Sequence, residues 1–255
     1  QDVDNLDELA EECQRILNTE ESEKLDELYR LGGTSGGARP KVMMEMDGEP
    51  WIIKFPAHVD RADIGKMEYD YYLCAEQCGI TMSECNLFPS DKCSGYFGTK
   101  RFDRKNQHGE MKRVHMLTVA ALLELDFEQP VLDYQDLMKL TKIITNNSPE
   151  DLENMYRRMC FNVYAHNRDD HAKNFSFLYE EEKKCWRLSP AYDLTYSTTY
   201  YGEHTTTVAG NGKNPGSKEL IFVGTQAGLS KEKCRSIAVE IKNCVSDMLS
   251  EYLNP

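Results

Sequence analysis

The stretch Asn167–Ser176, read Asn-Arg-Asp-Asp-His-Ala-Lys-Asn-Phe-Ser, together with Asp193 in Ser189-Pro-Ala-Tyr-Asp, constrains this 255-residue chain more than any other feature. Asp169 supplies a carboxylate, Asn174 an amide oxygen five residues on, and Asp193 a second carboxylate 24 residues after the first. Such an oxygen-rich set orients a hydroxyl and holds Mg²⁺ on a nucleotide in phosphoryl transfer. Other chemistries fit the same residues less well. An EF-hand starting at Asp169 would put His171 and Lys173 at ligand positions and lacks Gly at the sixth. Asp170-His171 as a metal-binding dyad needs further spaced histidines, and those at 58, 108, 115, 166 and 204 repeat no ligand pattern. His171 reads instead as a structural hydrogen-bonder of the loop, and Lys173 as a group near the transferred phosphate.

Upstream, Gly32-Gly-Thr-Ser-Gly-Gly-Ala-Arg-Pro-Lys41 holds four glycines in six positions, which makes it a loop able to bring backbone N–H groups close to phosphates at Gly36 and Gly37. Val42–Met46 and Trp51–Phe55 flank Asp47-Gly48-Glu49-Pro50 and read as a β-hairpin ending near Lys54. A helix over 62–79 follows, carrying Glu68 and capped by Gly79. Taken singly, a strand lysine and a helix glutamate are ordinary surface groups. In the order loop, strand Lys, helix Glu, ahead of Asp169, Asn174 and Asp193, they match the parts that grip ATP phosphates.

Asp-x-His-Ala-Lys-Asn-Phe-Ser followed by Tyr-Asp resembles the HipA-type serine/threonine kinases, toxins of bacterial toxin–antitoxin modules, over about Gly32 to Leu229. The resemblance implies that Lys54 contacts ATP and that Lys100-Arg-Phe-Asp-Arg104, with Lys100 and Phe102, is the hinge that receives adenine. It makes Asp169 the catalytic aspartate and Asn174 and Asp193 the Mg²⁺ ligands. Lys100 stands where the family often has Glu, and Asp170 replaces a common Gly. The resemblance further implies an aminoacyl-tRNA synthetase as protein substrate, a DNA-binding antitoxin as partner, and autophosphorylation of Thr34 or Ser35, with the phosphate drawn to basic groups such as Arg39 or Lys41. An acidic segment of about thirty residues precedes the glycine loop where full-length relatives carry a further subdomain, so the chain resembles the short form, in which a separate small protein supplies the missing piece.

A net charge of -13 argues against a nucleic-acid-binding surface on the chain itself. Its nine cysteines contain no Cys-x-x-Cys pair and read as reduced cytosolic thiols. Cys74 and Cys78 lie one helical turn apart, yet no nearby Cys/His pair completes a site, so helix packing is the expectation and zinc is not. No apolar run suits a membrane span, which predicts a soluble, cytoplasmic protein.

The expected fold is α+β and kinase-like in two lobes. A small β-rich N-lobe over 1–103 holds the glycine loop, ATP lysine and hinge, and a larger helical C-lobe over 104–255 holds the catalytic and metal residues, with ATP between them. A helix-like pattern with a solvated acidic face covers 5–30, broken near Asn18-Thr19. Strands are expected at 86–88 and 96–102, a polar crossing at 103–109, helices at 114–125, 133–146, 149–166 and 231–252, and a strand pair at 174–179 and 184–188. Two rival readings keep the same residues: a non-catalytic kinase-like binding scaffold, and a metal-dependent phosphohydrolase. Residues 205–214 read as a structural loop.

Overall fold

The computed structural model describes residues 6–17, 39–57, 60–107, 109–124, 132–199 and 201–253. It divides into two compact units, Gln1–Asp70 with Ser83–Arg101, and Tyr71–Met82 with Phe102–Pro255.

In the first unit, α1 (Leu6–Leu17) presents Leu6, Leu9 and Ala10 on one face, the helical spacing that buries a stripe. That stripe joins the core formed by β1 (Lys41–Met46), β2 (Glu49–Lys54), β3 (Cys85–Phe88) and β4 (Tyr96–Lys100), where Val42, Trp51, Ile53, Phe55, Phe88 and Tyr96 are buried. Trp51 meets Phe88, and Phe55 meets Tyr96, edge to face at 5.8 and 4.9 Å between centroids. The strands form an antiparallel sheet in the order β1-β2-β4-β3. Asp47 and Gly48 both have positive φ, +52° and +75°, the primed turn that a two-residue hairpin requires. The acidic face of α1 is not simply solvated. Asp7 accepts hydrogen bonds from Ser90 Oγ and Tyr96 Oη, both at 2.6 Å, and Glu11 pairs with Lys92. These bonds, Ser90 first and then Tyr96, hold the Asp7 carboxyl below its usual range against the opposing pull of burial.

The helix α2 (Ile64–Gln77) is shared between the units. It closes on Gly79 at φ +70°, with Ile80 N–H on the Ala75 carbonyl and Gly79 N–H on that of Glu76, a Schellman cap. Its second half belongs to the second unit, where Tyr71 donates to the Ala165 carbonyl at 2.6 Å. The division is therefore not a single cut near residue 103, because 71–82 groups with the later residues.

The second unit begins with a hairpin, β5 (Arg104–Gln107) and β6 (Glu110–Arg113), in place of the expected polar crossing. The helix expected over 114–125 is instead β7 (Met116–Thr118) followed by a single turn, α3 (Val119–Leu122), which Thr118 caps. Pairing with β9 (Ser176–Glu180) decides this, since it satisfies the backbone of 116–118 that a helix would otherwise have had to satisfy. Strand β8 (Leu132–Asp133) leads into α4 (Tyr134–Ile144), capped by Asp133 on Gln135 N–H. Ser148 and Pro149 start α5 (Pro149–Tyr164), and β10 (Cys185–Leu188) pairs with β9. Strand β11 (Thr206–Thr207) runs parallel to β8. The chain ends in α6 (Ser217–Gln226), α7 (Lys231–Met248) and α8 (Ser250–Leu253). Met155, Tyr156, Met159, Leu220, Val223, Ile237 and Ile241 give the helical core. Among the described residues no helix is long and apolar enough to cross a membrane.

Candidate functional site

The first unit places Lys54 at the end of β2, where its Nζ lies 2.5 Å from Glu68 Oε1 on α2. Glu68 is 3% exposed, and its other oxygen takes Arg39 Nη1 at 3.3 Å. Arg39 Nε in turn reaches Asp60 at 3.1 Å. Two cations face this buried carboxylate, so Glu68 fixes the reach of Lys54. Arg39, which the sequence suggested as a receiver for a loop phosphate, is engaged by Asp60 and Glu68. The glycine-loop residues Thr34, Ser35, Gly36 and Gly37 lie outside the described residues. Lys100 ends β4 with its N–H on the Glu84 carbonyl and its own carbonyl accepting Ser83 Oγ at 2.6 Å, while its ammonium lies 3.4 Å from Glu49. Its backbone N–H is thus used inside the unit. Phe102 belongs to the second unit, where its ring stands 5.6 Å from that of Tyr192.

The second unit assembles Asp169, Asn174 and Asp193. Residues Ala172–Asn174 form a 3-10 turn, and Asn174 Nδ2 donates to the Asp169 carbonyl at 2.8 Å, which leaves the amide Oδ1 as the outward acceptor. Tyr192 Oη donates to the Lys173 carbonyl at 2.7 Å, tying the segment that bears Asp193 to the same turn. Asp193 sits at φ +54°, left-handed backbone that an L-residue adopts only where its surroundings hold it. Partial burial raises the Asp169 carboxyl above its usual range. The His171 imidazole, 3.8 Å away, opposes that shift, and the Asp170 and Asp193 carboxylates add to it. Two carboxylates and an amide oxygen are the hard donors that Mg²⁺ takes, and the set fits that ion.

Four residues matter that the sequence left unassigned: Asp170, His204, Thr206 and Arg158. Asp170 is 1% exposed and accepts three hydrogen bonds: Tyr134 Oη and His204 Nδ1 at 2.9 Å on Oδ2, and Thr206 N–H at 3.0 Å on Oδ1. Thr206 Oγ1 also donates to the Asp170 carbonyl. Tyr134 Oη meanwhile accepts from Asn162, whose Oδ1 accepts from Asn167. Asp170 thus pins the loop from below while its neighbour Asp169 stays 57% exposed. His204 and Thr206 show that the segment near 205–214 acts on the loop by positioning it. Arg158, wholly buried on α5, donates to the Ser189 carbonyl and through Nε to Asn154 at 3.0 Å, fixing the approach to Tyr192-Asp193. Burial draws its guanidinium down to about 10.

The model of the HipA-like C-terminal domain family matches residues 33–248. The chain belongs to that family. This HipA-like chain is 28% identical over 175 residues to the protein named "Putative kinase Y4dM" of Sinorhizobium fredii, a match spanning 63% of this chain and 41% of that protein. Its fold is similar to HipA of Shewanella oneidensis MR-1, solved with HipB and operator DNA, at TM-score 0.70 and 17% identity, covering 99% of this chain and 64% of that one. It is also similar to the Helicobacter pylori proinflammatory kinase CtkA, at TM-score 0.54 and 13% identity over 83% and 93% of the two chains. The HipA-like chain therefore has the α+β, two-lobed protein-kinase-like fold, with a small β-rich unit and a larger helical one.

Proposed function

We propose that this HipA-like chain is an ATP- and Mg²⁺-dependent protein serine/threonine kinase acting as the toxin of a toxin–antitoxin module. The observation that carries the reading is the clasp of Asn174 on the Asp169 carbonyl with Asp193 held in left-handed backbone beside it. Asp169 would orient the substrate hydroxyl and take its proton as that oxygen forms the new bond to the γ-phosphorus, the β–γ bridging bond breaks and ADP leaves. Lys54, held by Glu68, would contact the ATP phosphates. Asn174 and Asp193 would hold Mg²⁺, which when bound neutralises charge on the transferring phosphoryl group. Phe102 and the backbone near Lys100 would receive adenine. A DNA-binding antitoxin as partner is supported by the HipB and operator complex of the Shewanella protein. An aminoacyl-tRNA synthetase as substrate, a separate small protein as third component, and autophosphorylation at Thr34 or Ser35 complete the reading. The test is transfer of γ-phosphate from Mg-ATP to protein by this chain and by Asp169→Asn. Incorporation lost in the variant is the expected result. Equal incorporation by both would overturn the assignment of Asp169, and none by either, on itself or on any substrate, would favour a binding scaffold.

A further inference from the structure

Helices α2 and α7 bring together four sulfur atoms that phosphoryl transfer does not use. Cys74 and Cys78 lie four residues apart at the end of α2, and Cys244 and Met248 lie four apart at the end of α7, so each pair occupies one helix face. The three thiol sulfurs all lie within 4.8 Å of one another, with Cys74 and Cys244 3.9 Å apart, and the Met248 thioether is 3.7 Å from Cys244 Sγ. Metal–sulfur bonds of about 2.3 Å set the sulfurs of a tetrahedral site about 3.8 Å apart, which is the spacing seen on both measured edges. Cys74 and Cys78 are fully buried, whereas Met248 is 40% exposed and leaves an entry side. Arg157 donates to the Cys78 carbonyl at 2.9 Å while pairing with Glu153 and Glu240, and so fixes the end of α2 that carries Cys78. Facing helix pairs of this kind are how bundles build metal sites.

From this juxtaposition we propose that Cys74, Cys78, Cys244 and Met248 form a binding site for a soft monovalent cation, Cu(I). Three thiols lose their protons to solvent as three metal–sulfur bonds form, and the neutral thioether completes the set. The thioether decides between ions: zinc sites are built from thiolate, imidazole and carboxylate, and thiolate with thioether selects Cu(I). The bland alternative is thiols packed between helices and sharing weak S–H contacts. The sequence showed only half of this set, because Cys244 stands 170 residues from Cys74.

The site is tested on the full chain, anaerobically and reduced, by titration with Cu(I) against a chromophoric Cu(I) chelator, with Zn²⁺ titrated in parallel. One equivalent of Cu(I) retained against the chelator is expected, unchanged in Cys13→Ser/Cys93→Ser/Cys185→Ser and lost in Cys74→Ser/Cys78→Ser. Because replacing buried cysteines can unfold the chain, the exposed Met248→Leu is the decisive variant, expected to fold normally and to bind Cu(I) about tenfold more weakly or worse. No retention by the unmodified chain, equal affinity in Met248→Leu, or tighter binding of Zn²⁺ than of Cu(I) would each overturn the proposal. None of these readouts depends on kinase activity.

Discussion

Replacing Asp170 tests whether the exposed Asp169 is held in place by its buried neighbour. The carboxylate accepts from Tyr134, His204 and the Thr206 amide, and Tyr134 Oη cannot turn away because it already accepts from Asn162. In Asp170→Asn one oxygen becomes an NH₂. If the amide oxygen keeps Thr206, the NH₂ can satisfy His204 once that ring switches tautomer, but the Tyr134 proton loses its acceptor. One stranded buried donor costs about 1–3 kcal/mol. Asp170→Ala strands all three donors and opens space, for about 3–5 kcal/mol, a large share of a total near 5–15 kcal/mol. For a chain of this size each kcal/mol lowers Tm by about 2–4 °C. Thermal unfolding should therefore rank wild type above Asn above Ala, and Tyr134→Phe combined with Asp170→Asn should cost less than the two single changes added together, since both remove the same bond. Turnover should fall further than stability explains, because a displacement of about 1 Å at a catalytic group costs about 10²-fold. Asp170→Ala with unchanged Tm and unchanged phosphate transfer would refute the reasoning.

Lys54→Ala should weaken productive ATP binding, seen as a raised KM for ATP, while the fold survives. Asp193→Asn should cut Mg²⁺-dependent turnover by about 10²-fold or more with ATP binding largely kept, because it would remove a proposed metal ligand and not a phosphate contact; near-normal turnover in either variant removes that residue from the site. Glu68→Ala should destabilise by about 3–5 kcal/mol in denaturant titration, since Lys54 and Arg39 lose their shared buried counter-charge. Asp7 has its carboxyl below the ordinary value of 3.8, so its contribution to stability is present above that pH and lost as pH falls through the depressed value. The acid-induced loss of stability between about pH 4 and pH 2 should accordingly be shallower in Asp7→Asn than in wild type.

What could be read from the chain follows from how far apart the cooperating groups lie. The hairpin turn at Asp47-Gly48, the cap at Gly79 and the helix start at Ser148-Pro149 are local devices, written in residue types that only those backbones favour, and each stands where the sequence put it. The set Asp169, Asn174 and Asp193 is nearly as local: a 3-10 turn and one tyrosine bond gather residues whose spacing already pointed to metal and phosphate. The misread segment at 116–118 is apolar enough for helix or strand, and its state is decided by Phe177 and Leu178, some sixty residues away. Asp170 was opaque for the same reason. Its three partners come from Tyr134, His204 and Thr206, none of which carries a mark in sequence that separates a positioning role from ordinary packing. Arg158 shows the limit most sharply. An arginine in a helix reads as a solvated surface group, and only the fold, by burying it on the Ser189 carbonyl, makes it a support for the segment that bears Asp193. The residues proposed to do chemistry are thus visible because their types are rare in combination, whereas the residues that hold them in place become visible only when the distances are known.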